Sequence, residues 1–442
     1  MRRNKLFLHS AARILLTAVL IWGFQTASAL DIQRWQTPEG NTLTLSERRE
    51  LPTVHLRVVF KGAGTAAGAQ PDLAGAVAAM LVYGTQKYSE DALRDESNRL
   101  GISIDASAGT ENSAVTLVSL SRPDTLNAAA DLLNEVLVRP VFDAAVWARE
   151  QRQAVTALKQ SEQSPSFLAD RAATLLNYGN HPYANGARSS EAGIMGLSRD
   201  DLAAFHRRFY RRDNAYVSIV GDVTRGQAEA LAGRILRGLP RQPDGVRQAV
   251  PEVVRQAGRE QRIPFADKEQ ATVVMSMPLL GIDDPDRIAL TVGNYILGGG
   301  GFDSRLMKIL RDQEGLVYGV SSSMSPLAEK GPFTVSFTTQ KSGADRALAV
   351  ARRVLADFAA QGPTEAELQQ AKNYLIGSHP LRFDTNAKVL PHISSVGVYQ
   401  LPADRFDRYP QEVAALTADE IRRVWQRRVD PSRMNAVLVG AQ

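Results

Sequence analysis

Apolar and polar positions along the 442-residue chain change period in a regular order. Residues 53–60 (TVHLRVVF), rich in β-branched and apolar side chains, predict a strand. DLAGAVAAMLVYGT (72–85) predicts a helix of small side chains, and ISIDASAGTENSAVTLVSL (102–120) a hairpin turning near 109–112. DTLNAAADLLNEVLVRP (124–140) places apolar residues at helical spacing and stops at Pro140. A long helix is expected over 143–161, another over 197–210 (LSRDDLAAFHRRFY), then a strand over 215–221 (AYVSIVG).

The plan then repeats. Residues 271–279 (ATVVMSMPL) read as a strand, 287–297 and 304–312 as helices, and 317–324 (VYGVSSSM) with 332–340 (PFTVSFTTQ) as a hairpin. Helices are expected over 344–362, ending at glycine, and over 365–378; LTADEIRRVWQRRV (416–429) and NAVLVG (435–440) close the chain. The closing segments superpose without a gap: Leu197 on Leu416, Asp200 on Asp419, Leu202 on Ile421 and Gly221 on Gly440, each 219 positions apart. So long a period means a duplicated domain; solenoid repeats run to about 20–50 residues. Between the halves, 237–262 carries Pro240, Pro243 and Pro251 with six arginines against three acids, a composition suited to an exposed linker.

Composition narrows the chemistry. At roughly 100–200 residues per domain the length allows two to four domains. With 44% hydrophobic and 22% charged residues the chain can bury large cores. It has no cysteine, which removes thiol, disulfide and iron–sulfur chemistry. Arg2, Arg3, Lys5 and Arg13 precede an apolar run, ILLTAVLIWGF (14–24), and Ala27 and Ala29 form an A-x-A site, the three-part pattern of a secretory signal peptide cleaved after Ala29. Eleven uncharged residues at about 1.5 Å each cover only half of a ~30 Å hydrocarbon core, so no stable membrane span is expected after cleavage. Loss of 1–29 lowers the net charge from +5 to +1, which argues against a nucleic-acid footprint. A cysteine-free exported chain suits a periplasm.

The six histidines are His9, His55, His181, His206, His379 and His392, and no two lie within 12 residues of each other. That spacing offers no helical or loop-borne metal pair. His206 is expected to be a partly exposed helix residue, His55 a satisfied or edge residue of a strand, and His181 part of a loop before Pro182 and Tyr183. Gly298 to Gly301 lack the G-K-[ST] ending of a phosphate loop and follow a helix; they read as a flexible, close-packed turn. Ser321 to Ser323 lack a G-x-S-x-G setting and read as a serine-rich strand face. RDQEGLVY places Arg311 at the end of a helix whose apolar side is Leu306, Ile309 and Leu310, with Gly315 as its stop. Tyr318 begins the next strand, on the face expected to hold Leu316 and Val320, where the two polar side chains can meet.

Several segments in order resemble the pitrilysin/insulinase peptidase family, which includes the mitochondrial processing peptidases: PDLAGAVAAMLVYGT, HPY at 181–183, DLAAFHRRFY…NAYVSIVGDV and NYILGGGGFDSRLMKILRDQEGLVYGVSSS. The resemblance covers nearly all of 40–442. It implies an α/β (α+β) fold of two homologous processing-peptidase-like domains, each a mostly antiparallel sheet packed with helices, together forming half a clamshell. The expected boundaries are signal peptide 1–29, first domain 30–236, linker 237–264 and second domain 265–442. Active relatives carry H-x-x-E-H on the first long helix, two histidines holding zinc and a glutamate acting as general base. Matched residue by residue, those positions are Gly75, Ala78 and Ala79 here, and the distal glutamate falls near Thr156 and Ala157. Glu150 matches an accompanying glutamate and cannot hold a metal alone. The small residues at 75, 78 and 79 are read as allowing close helix packing. In the family the pair matched by Arg311 and Tyr318 holds the substrate carbonyl and steadies its oxyanion.

The expectation is therefore a periplasmic subunit with no zinc of its own. It would act as a heterodimer with an H-x-x-E-H-bearing zinc peptidase chain and contribute Arg311 and Tyr318 in trans. Its substrates would be unfolded peptides bound partly as an added strand on a sheet edge. The alternative is a non-enzymatic peptide-binding or scaffold protein of the same fold.

Overall fold

The computed structural model describes residues 30–241, 250–255, 257–266 and 269–441; the expected signal peptide, its cleavage site and His9 lie outside them. Two sheets carry the fold. The first has β1 (Gln33–Gln36), β2 (Thr42–Glu47), β3 (Thr53–Lys61), β4 (Ser103–Ala108), β5 (Asn112–Leu120) and β6 (Ala215–Gly221) in the order β1-β2-β6-β3-β5-β4. The second has β7 (Glu260–Ile263), β8 (Gln270–Leu280), β9 (Val317–Met324), β10 (Gly331–Gln340) and β11 (Asn435–Val439) in the order β7-β11-β8-β10-β9. Each is antiparallel except for one parallel pair, β2 with β6 and β7 with β11. Apart from β1 the second sheet repeats the first strand for strand, as the 219-residue offset predicts.

Alternation along the strands decides what each sheet buries. Leu56, Val58 and Phe60 of β3 are fully buried with Leu43, Leu45, Val115, Leu117, Val217 and Ile219 under the helices Leu73–Met80, Pro123–Val138, Arg199–Phe209 and Arg225–Ile235. Val273, Met275, Val335 and Leu438 do the same beneath Arg287–Asn294, Ala344–Gln361 and Ala418–Arg428. The repeat extends to helix starts. Ser198 and Asp201 form a capping box, and Thr417 and Glu420 form its counterpart 219 positions on.

The other face of each sheet is covered by a helix from the opposite half. Pro165–Tyr178 lays Ala169, Ala172 and Ala173 on Val274, Val437 and Val439 of the second sheet. Asn386–Tyr399 lays Val389, Leu390 and Ile393 against Val220 and sets Val398 on Val59 and Ala114 of the first. Gly397 makes this approach possible, since a Cβ there would lie 3.1 Å from Thr44 Cγ2. Both helices end in a tyrosine that reaches the opposite half's hairpin connection: the Tyr178 hydroxyl donates to Lys330 O at 3.1 Å and the Tyr399 hydroxyl to Glu111 Oε2 at 2.6 Å. The sequence pattern did not reveal the exchange.

The described second part of 237–262 is mostly exposed but is tied to the second half: Val253 is buried, Arg255 donates to Pro278 O and Arg428 O at 3.0 and 2.7 Å, and β7 joins the second sheet. Residues 242–249 lie outside the described residues. Among the described residues no helix is long and apolar enough to cross a membrane.

Candidate functional site

Arg311 sits in a π-helical turn, Met307–Gln313, held to the core by the fully buried Leu306 and Leu310. Gly315 ends the turn at φ 61°, where its N–H donates to Arg311 O at 3.1 Å and the N–H of Leu316 to Leu310 O at 2.8 Å. β9 then starts with a bulge: Val317 pairs with Thr339 and Val320 with Phe337, so Thr338 alone faces both Tyr318 and Gly319. Val317 and Val320, three residues apart, both point into the core. Tyr318 is thrown out to 90% exposure on the face of Ser321 and Ser323. This corrects the expectation that its phenol shares a face with Val320; the extra residue inverts the alternation.

The predicted meeting of Arg311 and Tyr318 takes place. The guanidinium carbon lies 5.6 Å from the centre of the Tyr318 ring and 4.8 Å from that of Phe302, itself 70% exposed. Two rings hold the cation by their faces, and among the described residues no carboxylate pairs with it. The guanidinium N–H groups and the phenol are thus left to donate to an incoming acceptor. Phe302 escaped the sequence reading; the available signal was a large apolar residue in a turn of glycine and polar residues that no core period claims. The glycine run before it is close-packed as expected: a Cβ on Gly298 would lie 2.5 Å from Ser322 Oγ, and one on Gly300 2.8 Å from Tyr295 O.

Gly75, Ala78 and Ala79 lie on Leu73–Met80, the helix matched to the zinc motif. Only Ala78 is buried; Gly75 and Ala79 are exposed, and a Cβ on Gly75 would touch nothing within 4 Å. Close packing therefore accounts for Ala78 alone. Thr156 and Ala157 are exposed too, the Thr156 hydroxyl donating to Arg152 O at 2.9 Å. Glu150 accepts from Arg149 Nε at 2.9 Å, and the same guanidinium takes Glu90 through two 3.0 Å bonds while lying over the Tyr83 ring. Burial, with Glu150 second, pushes the Tyr83 phenol pKa up. Positions 75, 78 and 79 offer no donor atom, and no group of three His, Cys, Asp or Glu among the described residues could hold a metal. These residues do not fit zinc.

A family model described as "Peptidase M16 inactive domain" matches residues 196–375, and "Insulinase (Peptidase family M16)" matches 54–186. The crystal structure of a peptidase M16 inactive domain from Pseudomonas fluorescens superposes with a TM-score of 0.88 at 30% identity, over 93% of this chain and 99% of that one. The chain belongs to the M16 (insulinase) family. "Non-peptidase homolog YmxG" of Helicobacter pylori is 28% identical over 344 residues, 77% of this chain and 78% of that protein. The periplasmic protease PqqL of Escherichia coli shares the fold at a TM-score of 0.77 and 20% identity, with 93% of the M16 chain described here matching 45% of PqqL.

Four of the five described histidines of this M16 chain are engaged elsewhere. His206, expected to be partly exposed, is 8% exposed because Leu137 O takes its Nε2 at 2.9 Å and Tyr210 stacks on it; burial lowers its pKa to about 4. His181 Nδ1 accepts the Tyr183 N–H at 3.1 Å, which leaves Nε2–H to donate to Pro251 O at 2.9 Å. His379 Nε2 lies 2.8 Å from Phe406 O, and His392 packs against the Phe383 and Phe406 rings. His55 is half-buried, and burial lowers its pKa.

A second polar centre had no sequence signal beyond its turn. Glu111, in the β4–β5 connection and 8% exposed, accepts from the Tyr183 and Tyr399 hydroxyls and from Ala328 N–H at 3.0 Å. Burial first, and then the Glu111 carboxylate, pushes both phenol pKa values up. A cleft of about 340 Å³ opens beside it, lined by Ala66, Ala67, Arg208 and Pro251 among others.

Proposed function

We propose that this chain is the zinc-less subunit of a periplasmic two-chain M16 peptidase. A separate H-x-x-E-H-bearing chain supplies the zinc site, and this chain supplies Arg311 and Tyr318 to hold the substrate carbonyl and its developing negative charge. The observation that carries this reading is the pair itself: a guanidinium and a phenol, exposed side by side and braced by Phe302, in a chain whose matched zinc helix has no donor side chain. The name of the Helicobacter pylori relative supports an inactive chain on its own. It also favours the second reading, a non-enzymatic peptide-binding or scaffold protein.

The test is peptide cleavage by the purified chain, by the zinc-bearing M16 chain that co-purifies with it, and by the two together, with zinc measured in each. Activity only in the mixture is expected. Arg311→Ala or Tyr318→Phe should lower it about 10²–10³-fold with assembly intact, the usual loss of one oxyanion donor. Unchanged rates in both variants refute the trans role. Zinc and cleavage by the chain alone refute the subunit reading, and no cleavage in any combination leaves the scaffold.

A further inference from the structure

Arg57 occupies the middle of β3, inside the first sheet. Pairing register puts it in a row that crosses five strands: Thr44, Ser218, Arg57, Thr116 and Asp105. The row faces away from the Leu56 and Val58 core, on the side covered by the exchanged helix Asn386–Tyr399. Cover is complete over Thr44 and Ser218, which bond to each other at 2.7 Å, and has thinned by Thr116, which is half-buried; Asp105 on the β4 edge is exposed. Arg57 stands at this margin. Its Nε is shut off from solvent with no hydrogen-bond partner, and among the described residues its guanidinium has no ion pair.

The surrounding sequence explains the missing acceptor. Neither β3, β5, β6 nor the covering helix (NAKVLPHISSVGVY) contains an acidic residue. The acid in the row, Asp105, is two strands away, about 10 Å at ordinary strand spacing. Burial also lowers the Arg57 pKa. A guanidinium is hard to discharge, so a half-buried one without an acceptor weakens the fold, and an apolar side chain of similar length would serve the free chain better.

We infer that Arg57 anchors a carboxylate-binding site at the margin between the helix Asn386–Tyr399 and the β4 edge, and that its occupant is the acidic side chain of an extended peptide. The charge calls for a carboxylate, which a guanidinium grips through two parallel bonds. An extended peptide suits the ground beside it, because the neighbouring rows place exposed Ser103 and Ser107 along the same open margin. The site goes beyond the trans role of Arg311 and Tyr318 and binds whether or not a partner chain cleaves.

The test uses the purified full chain and a fluorescein-labelled, C-terminally amidated octapeptide of serine and valine with one central glutamate, beside its glutamine twin. A third peptide pairs the glutamine with a free C-terminal carboxylate. The glutamate peptide should bind at least about tenfold tighter than both others, the order expected of one charge-assisted pair. Arg57→Met and Arg57→Gln should erase that preference, and Arg57→Met should raise the thermal midpoint by about 2 °C. Equal affinity for the three peptides overturns the inference, as does preference for the free terminus or a glutamate preference that survives in Arg57→Gln. A lowered midpoint in Arg57→Met also overturns it, by showing that the cation already has an internal partner.

Discussion

The Tyr399 hydroxyl meets the Glu111 carboxylate at 2.6 Å across 288 positions of sequence. It closes a network in which one buried carboxylate holds a hairpin turn of the first half, the loop around Tyr183, the β9–β10 connection and the end of an exchanged helix. Replacing that carboxylate by a methyl group strands two phenols and an amide N–H. Glu111→Ala should therefore lower unfolding free energy by about 3 kcal/mol or more in urea titration, whereas Glu111→Gln, which keeps an acceptor, should lose about half as much. Equal, small losses would mean that the halves are held together elsewhere.

His206 gives the fold a pH dependence of known sign. Its folded pKa of about 4 lies below the 6.5 of an unfolded histidine, so its contribution is complete above pH 6.5 and is lost as pH falls toward 4. The shift corresponds to about 3 kcal/mol across that window. His206→Gln should flatten stability between pH 6.5 and 4 as followed by urea midpoints. His55, His379 and His392, also lowered by burial, leave a residual slope. An identical slope in the variant would remove His206 as the cause.

The three zinc-motif positions should respond unequally to restoration. Gly75 opens on empty space and Ala79 is exposed, so Gly75→His and Ala79→His should each change stability by less than about 0.5 kcal/mol. Ala78 is 2% exposed, and Ala78→Glu puts a carboxylate where no partner waits, at about 2 kcal/mol or more. Thermal melts of the three single variants check this. A fold broken by Gly75→His would show that this helix face is closed.

The sequence exposes what depends on local period and hides what depends on a distant partner. Alternation in 53–60 marks β3, and the 219-residue offset foretells two sheets of the same order, down to the boxes at Ser198 and Thr417. The face of Tyr318 was misread because a bulge opposite Thr338 shifts the period by one residue, and nothing local announces it. His206 was misread because its acceptor, Leu137 O, is 69 positions away. The helix Arg405–Ala415 went unread since it contains Pro410, where a break is expected. Arg311 and Tyr318 were legible as a pair because a turn and the strand that follows it fix them together.

The crossed helices also tie each half to the other. A half cut from this polypeptide would leave a bare apolar bed on its sheet, at Val274, Val437 and Val439 in one case and at Val59, Ala114 and Val220 in the other. Neither half can be discarded without stripping the other.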